Sequence, residues 1–324
     1  MSSAPLQRKD SSSLKPHAAV LLAGCMWGSV GIFVRLLDGL GYSPLTIVFV
    51  RSIVSFTILF IALLIFNKAL LRIKIKDLWV FIGTALTSAI ALNLLFNIST
   101  IMNSLALAAV LLTTAPFFVI VFAAFAFKEK ITSMKIAALL LVFAGCVLTS
   151  GLIGSGSAFS GFDFNPIGVL IGVLSGVGYA LYTIFSRLAL NRGYDSLTIN
   201  VYSFGIGALC CIPFADFTVI TGSIYMQPAY MSLLLVTHAL FASLLPYVLF
   251  TYGMNYMDTG KAAIIVSIEP VSAAIFGAVL YREIPSAISV IGIALVILAI
   301  ALLNLPQSFR SLFPRGTNSK GNTR

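Results

Sequence analysis

The sequence predicts an all-α integral membrane protein in which ten transmembrane helices form two inverted five-helix repeats around a central cavity. Two observations support this prediction: the chain is strongly apolar throughout, and its second half repeats motifs of its first half. Of 324 residues, 59% are hydrophobic and 9% are charged, whereas soluble globular domains carry about 25% charged residues. The mean hydropathy of +1.05 therefore indicates that most of the chain lies in a lipid bilayer.

The ten predicted helices follow from the length of the apolar runs, because a membrane-spanning helix needs about 20 predominantly apolar residues. They are placed at 17–37, 44–66, 78–101, 104–127, 134–152, 166–189, 197–214, 231–256, 262–281 and 287–305. The first repeat is 17–152, the second is 166–305, and a Gly- and Ser-rich linker at 153–165 joins them. Residues 1–16 and 306–324 are polar tails. The amphipathic stretch 214–230 is compatible with a segment that lies along the membrane surface.

The internal repeat is clearest in two apolar segments that each contain one proline. They share paired alanines, the proline and a final basic-acidic pair: Ala108-Ala109, Pro116 and Lys128-Glu129 in the first, and Ala262-Ala263, Pro270 and Arg282-Glu283 in the second. The stretch 41–47 is likewise echoed by 193–199. Since each repeat holds five helices, an odd number, the second copy enters the membrane in the opposite sense, an arrangement on which many secondary transporters are built.

The distribution of basic residues predicts the orientation. Of the 20 Lys and Arg residues, seventeen fall in segments that the ten-helix topology places on one side, together with both termini. Arg35 and Arg282 lie at the other side, and Arg51 lies inside the second helix. Because cytoplasmic loops carry an excess of Lys and Arg, both termini are predicted to be cytoplasmic. The same placement in short gaps argues against a nucleic-acid partner, despite the net charge of +10.

Ten helices, two halves and the doubled alanine-proline-glutamate segment resemble the EamA-like branch of the drug/metabolite transporter superfamily. The resemblance covers all ten helices and implies a basket of helices around a central cavity, with mostly export of amino acids or related metabolites. The family's usual arginine near the start of the second helix matches Arg51, and its frequent Glu-Pro in the ninth matches Glu269 and Pro270. Ala115 precedes the proline of the first repeat, so the two halves differ at that position.

We therefore expect a multi-pass protein of the cell membrane that exports amino acids or related zwitterionic or amine solutes by alternating access, with proton coupling left open. An uptake carrier, or a channel or lipid scramblase, is the alternative, although a channel would need a polar stripe along several helices. With two histidines, no H-E-x-x-H motif and no nucleotide loop, the sequence predicts no enzyme, cofactor or metal site. The oligomeric state, monomer or homodimer, is left open.

Glu269 and Pro270 form the most informative candidate site. Glu269 follows Lys261 by eight residues, or about 12 Å of helix, in a hydrocarbon core about 30 Å thick. Pro270 leaves the carbonyl of Val266 without its helical hydrogen bond, and Pro116 breaks the corresponding helix of the first repeat in the same way. Because acids inside a membrane are costly and usually functional, Glu269 is predicted to exchange a proton or bind a solute amine. The alternative is a protonated acid bonded to a nearby carbonyl.

Arg51 is the second candidate, about 10 Å below the outer surface because it follows Pro44 by seven residues. It is either a structural anchor, with Asp38 as the nearby acid, or a planar fork for a solute carboxylate. His238 in the eighth helix is either structural or a second site for proton exchange.

Aromatic and amide side chains complete the predicted site. Trp27 and Tyr179 occupy equivalent positions in the first and sixth helices, where they either pack or line the cavity. Tyr247 and Asn93 are further candidates for the cavity wall.

Overall fold

The computed structural model describes residues 14–103, 105–149, 165–282 and 286–304, and all regular structure within them is helical. The helices of the first half are α1 (Leu14–Trp27), α2 (Val30–Asp38), α3 (Pro44–Phe66), α4 (Leu78–Leu86), α5 (Leu95–Met102), α6 (Leu105–Leu112), α7 (Ala115–Phe127) and α8 (Ser133–Thr149). Those of the second half are α9 (Pro166–Asn191), α10 (Ser196–Cys211), α11 (Phe217–Met226), α12 (Pro228–Ala239), α13 (Leu245–Met254), α14 (Thr259–Val266), α15 (Glu269–Tyr281) and α16 (Ala287–Asn304). Two π-helical segments, Thr87–Leu94 and Leu240–Leu244, join α4 to α5 and α12 to α13.

Each predicted span overlaps helix, and within the described residues 8 helical spans are long and apolar enough to cross a membrane. The protein is therefore a multi-pass helical membrane protein. Helices α8 and α16 are shorter and pack closely against each other, since a Cβ at Gly145 would lie 2.7 Å from the carbonyl oxygen of Gly292. The count of ten crossing helices stays a prediction.

Several predicted elements lie outside the described residues. These are 1–13 of the N-terminal tail, 150–164 with nearly all of the linker, 283–285 with Glu283, and the C-terminal segment 305–324. The described part of the predicted tail belongs to α1, which begins at Leu14, three residues earlier than expected.

Three spans that the sequence presents as continuous helices are interrupted. The first breaks at Gly28 and Ser29, where the Ser29 hydroxyl bonds the carbonyl of Met26 at 2.6 Å. The third and eighth widen into the π-helical segments, at corresponding positions of the two halves. Hydroxyl groups that bond the backbone one turn earlier bend helices, and Thr87 does so at the start of the first π segment, 2.7 Å from the carbonyl of Gly83.

The two prolines of the repeat each follow a break in the helix. Two residues separate α6 from α7, and two separate α14 from α15. The hydroxyls of Thr113 and Thr114 bond carbonyls three residues earlier, each at 2.6 Å, and Ser267 bonds the carbonyl of Ala263 at 3.0 Å. Side chains thus satisfy part of the backbone that the breaks expose within the membrane.

The backbone adopts the same unusual conformations at positions that the sequence repeat pairs. Gly41 and Gly193, each after the first span of its half, have φ angles of +85° and +84°. Lys128 and Arg282, which end α7 and α15, have φ angles of 56° and 58°. The two halves therefore share local geometry as well as sequence, while their opposite orientation in the membrane stays a prediction.

Glycines bring each half into close contact with the broken helix of the other half. A Cβ at Gly24 of α1 would lie 2.6 Å from the carbonyl oxygen of Val266, and one at Gly28 would lie 2.8 Å from that of Glu269. In α9, a Cβ at Gly176 would lie 2.7 Å from Thr114 Oγ1. Small residues permit this approach in membrane helices, and it fixes both helix breaks against the first span of the opposite repeat.

A carboxylate at the end of α7 also links the two halves. Glu129 accepts hydrogen bonds from the backbone N–H groups of Thr259, at 2.8 Å, and Gly260, at 3.3 Å. Lys135 lies 3.7 Å from Glu129 and 3.3 Å from Asp258. Because the first N–H groups of a helix have no partner within it, Glu129 caps α14 from the other repeat.

Candidate functional site

A small polar cavity lies between the two halves, lined by α3, α4, α10, α13 and both π-helical segments. Most of its polar lining residues are hydroxyl-bearing, and the polar set is Arg51, Ser52, Ser88, Asn93, Ser203, Ser243 and Tyr247. The free space is about 10 Å³, roughly what one water molecule needs. The cavity is therefore narrow, and a solute would fit beside its polar groups only after side chains or helices move.

Arg51 supplies the positive charge of this cavity. Its side chain is buried, with 8% of its surface exposed, and Nη2 donates a hydrogen bond to Oδ1 of Asn93 at 2.6 Å. Among the described residues no carboxylate forms an ion pair with it, and Asp38, the nearby acid in the sequence, is exposed. A buried guanidinium with only a neutral partner is costly unless an anion completes it.

Asn93 is held in the cavity by the first π-helical segment. Its Nδ2 donates to the carbonyl of Ser88 at 2.5 Å while its Oδ1 faces Arg51. Such π-helical turns are frequent at functional sites because they displace the residues that follow them. The hydroxyl of Ser88 in turn lies 3.2 Å from that of Tyr247, which connects the π segment of one half to α13 of the other.

An aromatic column continues from the cavity. The ring of Trp27 makes edge contacts with Tyr247, at a centroid distance of 5.1 Å, and with Tyr179, at 6.2 Å. Trp27 is 8% exposed and does not line the cavity; it lies behind Tyr247. Tyr179 and Trp27, paired by the sequence repeat, thus touch each other across the interface between the halves.

Glu269 lies at the far end of this column, outside the cavity lining. It is the first residue of α15, directly after the helix break, and its side chain is partly buried. Tyr179 is close enough to interact with it electrostatically, and the Tyr179 hydroxyl is buried without a hydrogen-bond partner among the described residues. Arg51 and Glu269 therefore do not share one pocket.

His238 lies next to the Arg51 side of the site. It is fully buried, its ring lies 5.3 Å from that of Phe33, and neither ring nitrogen has a hydrogen-bond partner among the described residues. It interacts electrostatically with Arg51 but does not line the cavity. The ring nitrogens of a buried structural histidine ordinarily have hydrogen-bond partners. The role of His238, structural or in proton exchange, therefore stays a proposal.

The structure brings Arg51, Asn93 and Tyr247 together in one cavity and places the other predicted residues around it. The sequence reading missed the serines that line the same cavity, Ser52, Ser88, Ser203 and Ser243. Small hydroxyl residues are common wherever membrane helices pack, so no spacing in the sequence distinguishes these four from the others.

Multiple apolar spans, helices broken within the membrane and a narrow polar cavity at the interface of two related halves are features of membrane transporters. Comparison with known proteins identifies the family. The sequence model of the EamA-like transporter family matches residues 14–151 and 166–305. The chain therefore belongs to the EamA-like transporter family.

Similar proteins agree with this assignment. A protein of Archaeoglobus fulgidus named as an uncharacterized transporter is 26% identical over 294 residues, which cover 88% of this chain and 95% of the relative. The uncharacterized transporter YetK of Bacillus subtilis is 26% identical over 248 residues, covering 76% of this chain and 74% of YetK. A crystal structure of a protein 18% identical in sequence superposes with a TM-score of 0.71, over 92% of this chain and 98% of that one, and so shares its fold.

Proposed function

We propose that this membrane transporter exports small organic solutes that carry a carboxylate, such as amino acids or related zwitterions, by alternating access. The observation that carries the proposal is Arg51: a buried guanidinium that lines the central cavity and has an amide, not a carboxylate, as its hydrogen-bond partner. The planar fork of arginine matches a carboxylate with two parallel hydrogen bonds. A solute carboxylate would supply the missing negative charge.

Glu269 is proposed to couple this movement to protons. A charged acid near the bilayer centre costs roughly 3 kcal/mol, so the carboxylate would be neutral when sealed in lipid-like surroundings and charged when water reaches it. Its place at a helix break between the two halves supports a role that changes as access alternates. His238 is the second candidate for proton exchange.

The proposal is tested first by finding the solute. Purified protein is heated with a panel of amino acids, their amides and their decarboxylated amines, because a bound solute raises the unfolding midpoint. Solutes that stabilise are then tested for saturable counterflow in proteoliposomes, which a channel or scramblase would not show. If amines and amides bind as well as the matching acids, recognition of a carboxylate is refuted.

Arg51→Lys tests the residue that carries the proposal. Lysine keeps the charge but loses the planar fork, so the apparent affinity for the solute is expected to fall at least tenfold. Arg192→Lys is the matched control, since Arg192 pairs with Asp77 at 3.2 Å in a connecting segment remote from the cavity lining. Unchanged affinity in the Arg51 variant would make Arg51 a structural anchor.

The orientation proposed from the charge asymmetry is tested by labelling. In a variant without the four native cysteines, a cysteine at position 74 should react only from the cytoplasmic side, and one at position 157 only from outside. Reaction of both from one side would contradict the inverted arrangement.

A further inference from the structure

The contact between Arg51 and Asn93 has only one possible assignment of the amide. Arginine is a donor only, so the atom of Asn93 that lies 2.6 Å from Nη2 is the oxygen. The amide nitrogen then faces the carbonyl of Ser88, which only accepts. Exchange of the two atoms would oppose a donor to a donor and an acceptor to an acceptor.

The side chain of Asn93 therefore presents to Arg51 what a solute carboxylate would present. A carboxamide and a carboxylate are planar groups of three heavy atoms with almost the same shape, and both offer an oxygen acceptor. The remaining space in the cavity, about 10 Å³, holds roughly one water and is too small to add a carboxylate beside the amide.

We propose that Asn93 is an internal ligand of Arg51, which occupies the place of the solute carboxylate in the narrow cavity and is displaced when the solute binds. This inference rests on the proposed function, because it requires Arg51 to be the carboxylate site. It makes Asn93 a residue that sets affinity by competition and does not hold the solute itself.

Displacement of Asn93 would change the packing around Trp27. The amide that leaves Arg51 also bonds the π-helical backbone at Ser88, and the Ser88 hydroxyl lies 3.2 Å from that of Tyr247. The Tyr247 ring in turn contacts Trp27 at 5.1 Å. Trp27 and Trp79 are the 2 tryptophans of the chain, so a Trp79→Phe background leaves one indole as a reporter of the cavity.

The experiment measures Trp27 fluorescence of the full-length protein during titration with acetate and glycine, against potassium chloride and methylammonium chloride at equal ionic strength. Asn93→Ala removes the competing oxygen, so the dissociation constants for acetate and glycine are expected to fall about tenfold. Asn93→Asp replaces it with a carboxylate of nearly the same shape that pairs with Arg51, so binding is expected to weaken at least tenfold. If the alanine variant folds poorly, Asn93→Ser takes its place: the serine side chain is too short to reach Arg51, so the same fall in the dissociation constants is expected.

Asn200→Ala is the matched control. Asn200 is a buried asparagine whose Nδ2, like that of Asn93, bonds a carbonyl a few residues earlier in the chain, that of Ser196, at 2.8 Å, but it does not line the cavity. Its removal should leave both dissociation constants unchanged.

Opposite shifts for alanine and aspartate support the inference. Weaker binding in both variants would show that Asn93 holds the solute directly, and unchanged binding in both would show that it does not compete. Either result overturns the inference about Asn93 and leaves the proposed function standing. Arg51→Gln tests the proposed function separately, because it removes the group that is proposed to bind the solute carboxylate. If acetate and glycine bind that variant as well as they bind the wild type, or bind neither the wild type nor Asn93→Ala, the proposed function fails as well.

Discussion

Replacement of Glu269 by glutamine is expected to abolish proton-driven accumulation without abolishing solute exchange. Glutamine keeps the size and much of the hydrogen bonding of glutamate but does not titrate. Glu269 lies in the middle of the span Thr259–Leu280. The other described carboxylates, Asp38, Asp77, Glu129, Asp195, Asp216 and Asp258, lie near the ends of spans or in the segments that connect them.

The size of the expected effect follows from this single carboxylate. One titrating acid carries one proton in each cycle, and a difference of one pH unit is worth about 1.36 kcal/mol. For a solute without net charge, a gradient of two pH units therefore supports at most about 100-fold accumulation in the wild type. In Glu269→Gln the ratio is expected to fall to about one.

The assay uses proteoliposomes with the membrane potential clamped at zero and an imposed pH gradient, with counterflow at equal pH measured in parallel. Asp195→Asn is the matched control, because Asp195 caps α10 through a hydrogen bond from Leu197 at 2.8 Å and asparagine caps equally well. The control should accumulate solute as the wild type does. If Glu269→Gln still concentrates solute with wild-type pH dependence, the carboxylate is structural and the coupling argument is wrong.

Three further predictions concern stability. Glu129→Ala removes the cap that joins α7 to two backbone N–H groups of α14 and should lower the free energy of unfolding by about 2 kcal/mol, measured in detergent against exposed Lys130→Ala. Gly28→Ala places a Cβ 2.8 Å from backbone atoms of α15 and should cost about 1–3 kcal/mol, whereas Gly31→Ala, which meets nothing within 4 Å, should cost none; equal effects would refute the close packing. Hydrogen bonds from a threonine side chain and the backbone at the start of α11 hold the pKa of Asp216 below its usual value. The stability that these bonds give the folded state is therefore present above the unfolded pKa and is lost as the pH falls through the lower folded pKa. Hydrogen exchange of α11 should rise in acid in the wild type but not in Asp216→Asn.

The local sequence was sufficient for the helical membrane class and for much of the repeat. Hydropathy is a property of each segment by itself, so runs such as 44–66 could be placed without knowledge of their neighbours, and α3 has those bounds. Proline acts on its own backbone, so the positions of Pro116 and Pro270 indicated where the ninth span and its counterpart would be irregular.

Tertiary structure decided which polar groups meet. The hydrogen bond between Arg51 and Asn93 joins residues 42 positions apart, and that between Ser88 and Tyr247 joins residues 159 positions apart. Asp38, the acid nearest to Arg51 in the sequence, is exposed on another helix. Distance along a chain does not determine distance in space once helices that are far apart in the sequence pack face to face.

The π-helical segments also became evident only in the folded chain. A π-helical turn differs from an α-helical one by a single residue, and it persists because side chains such as that of Asn93 bond the displaced backbone. The sequence therefore determined that the chain spans a membrane as two related halves with a proline-broken helix in each. The fold determined that Arg51 and Asn93 face each other in a narrow cavity and that Glu269 stands apart from them, because those relations depend on how the helices pack.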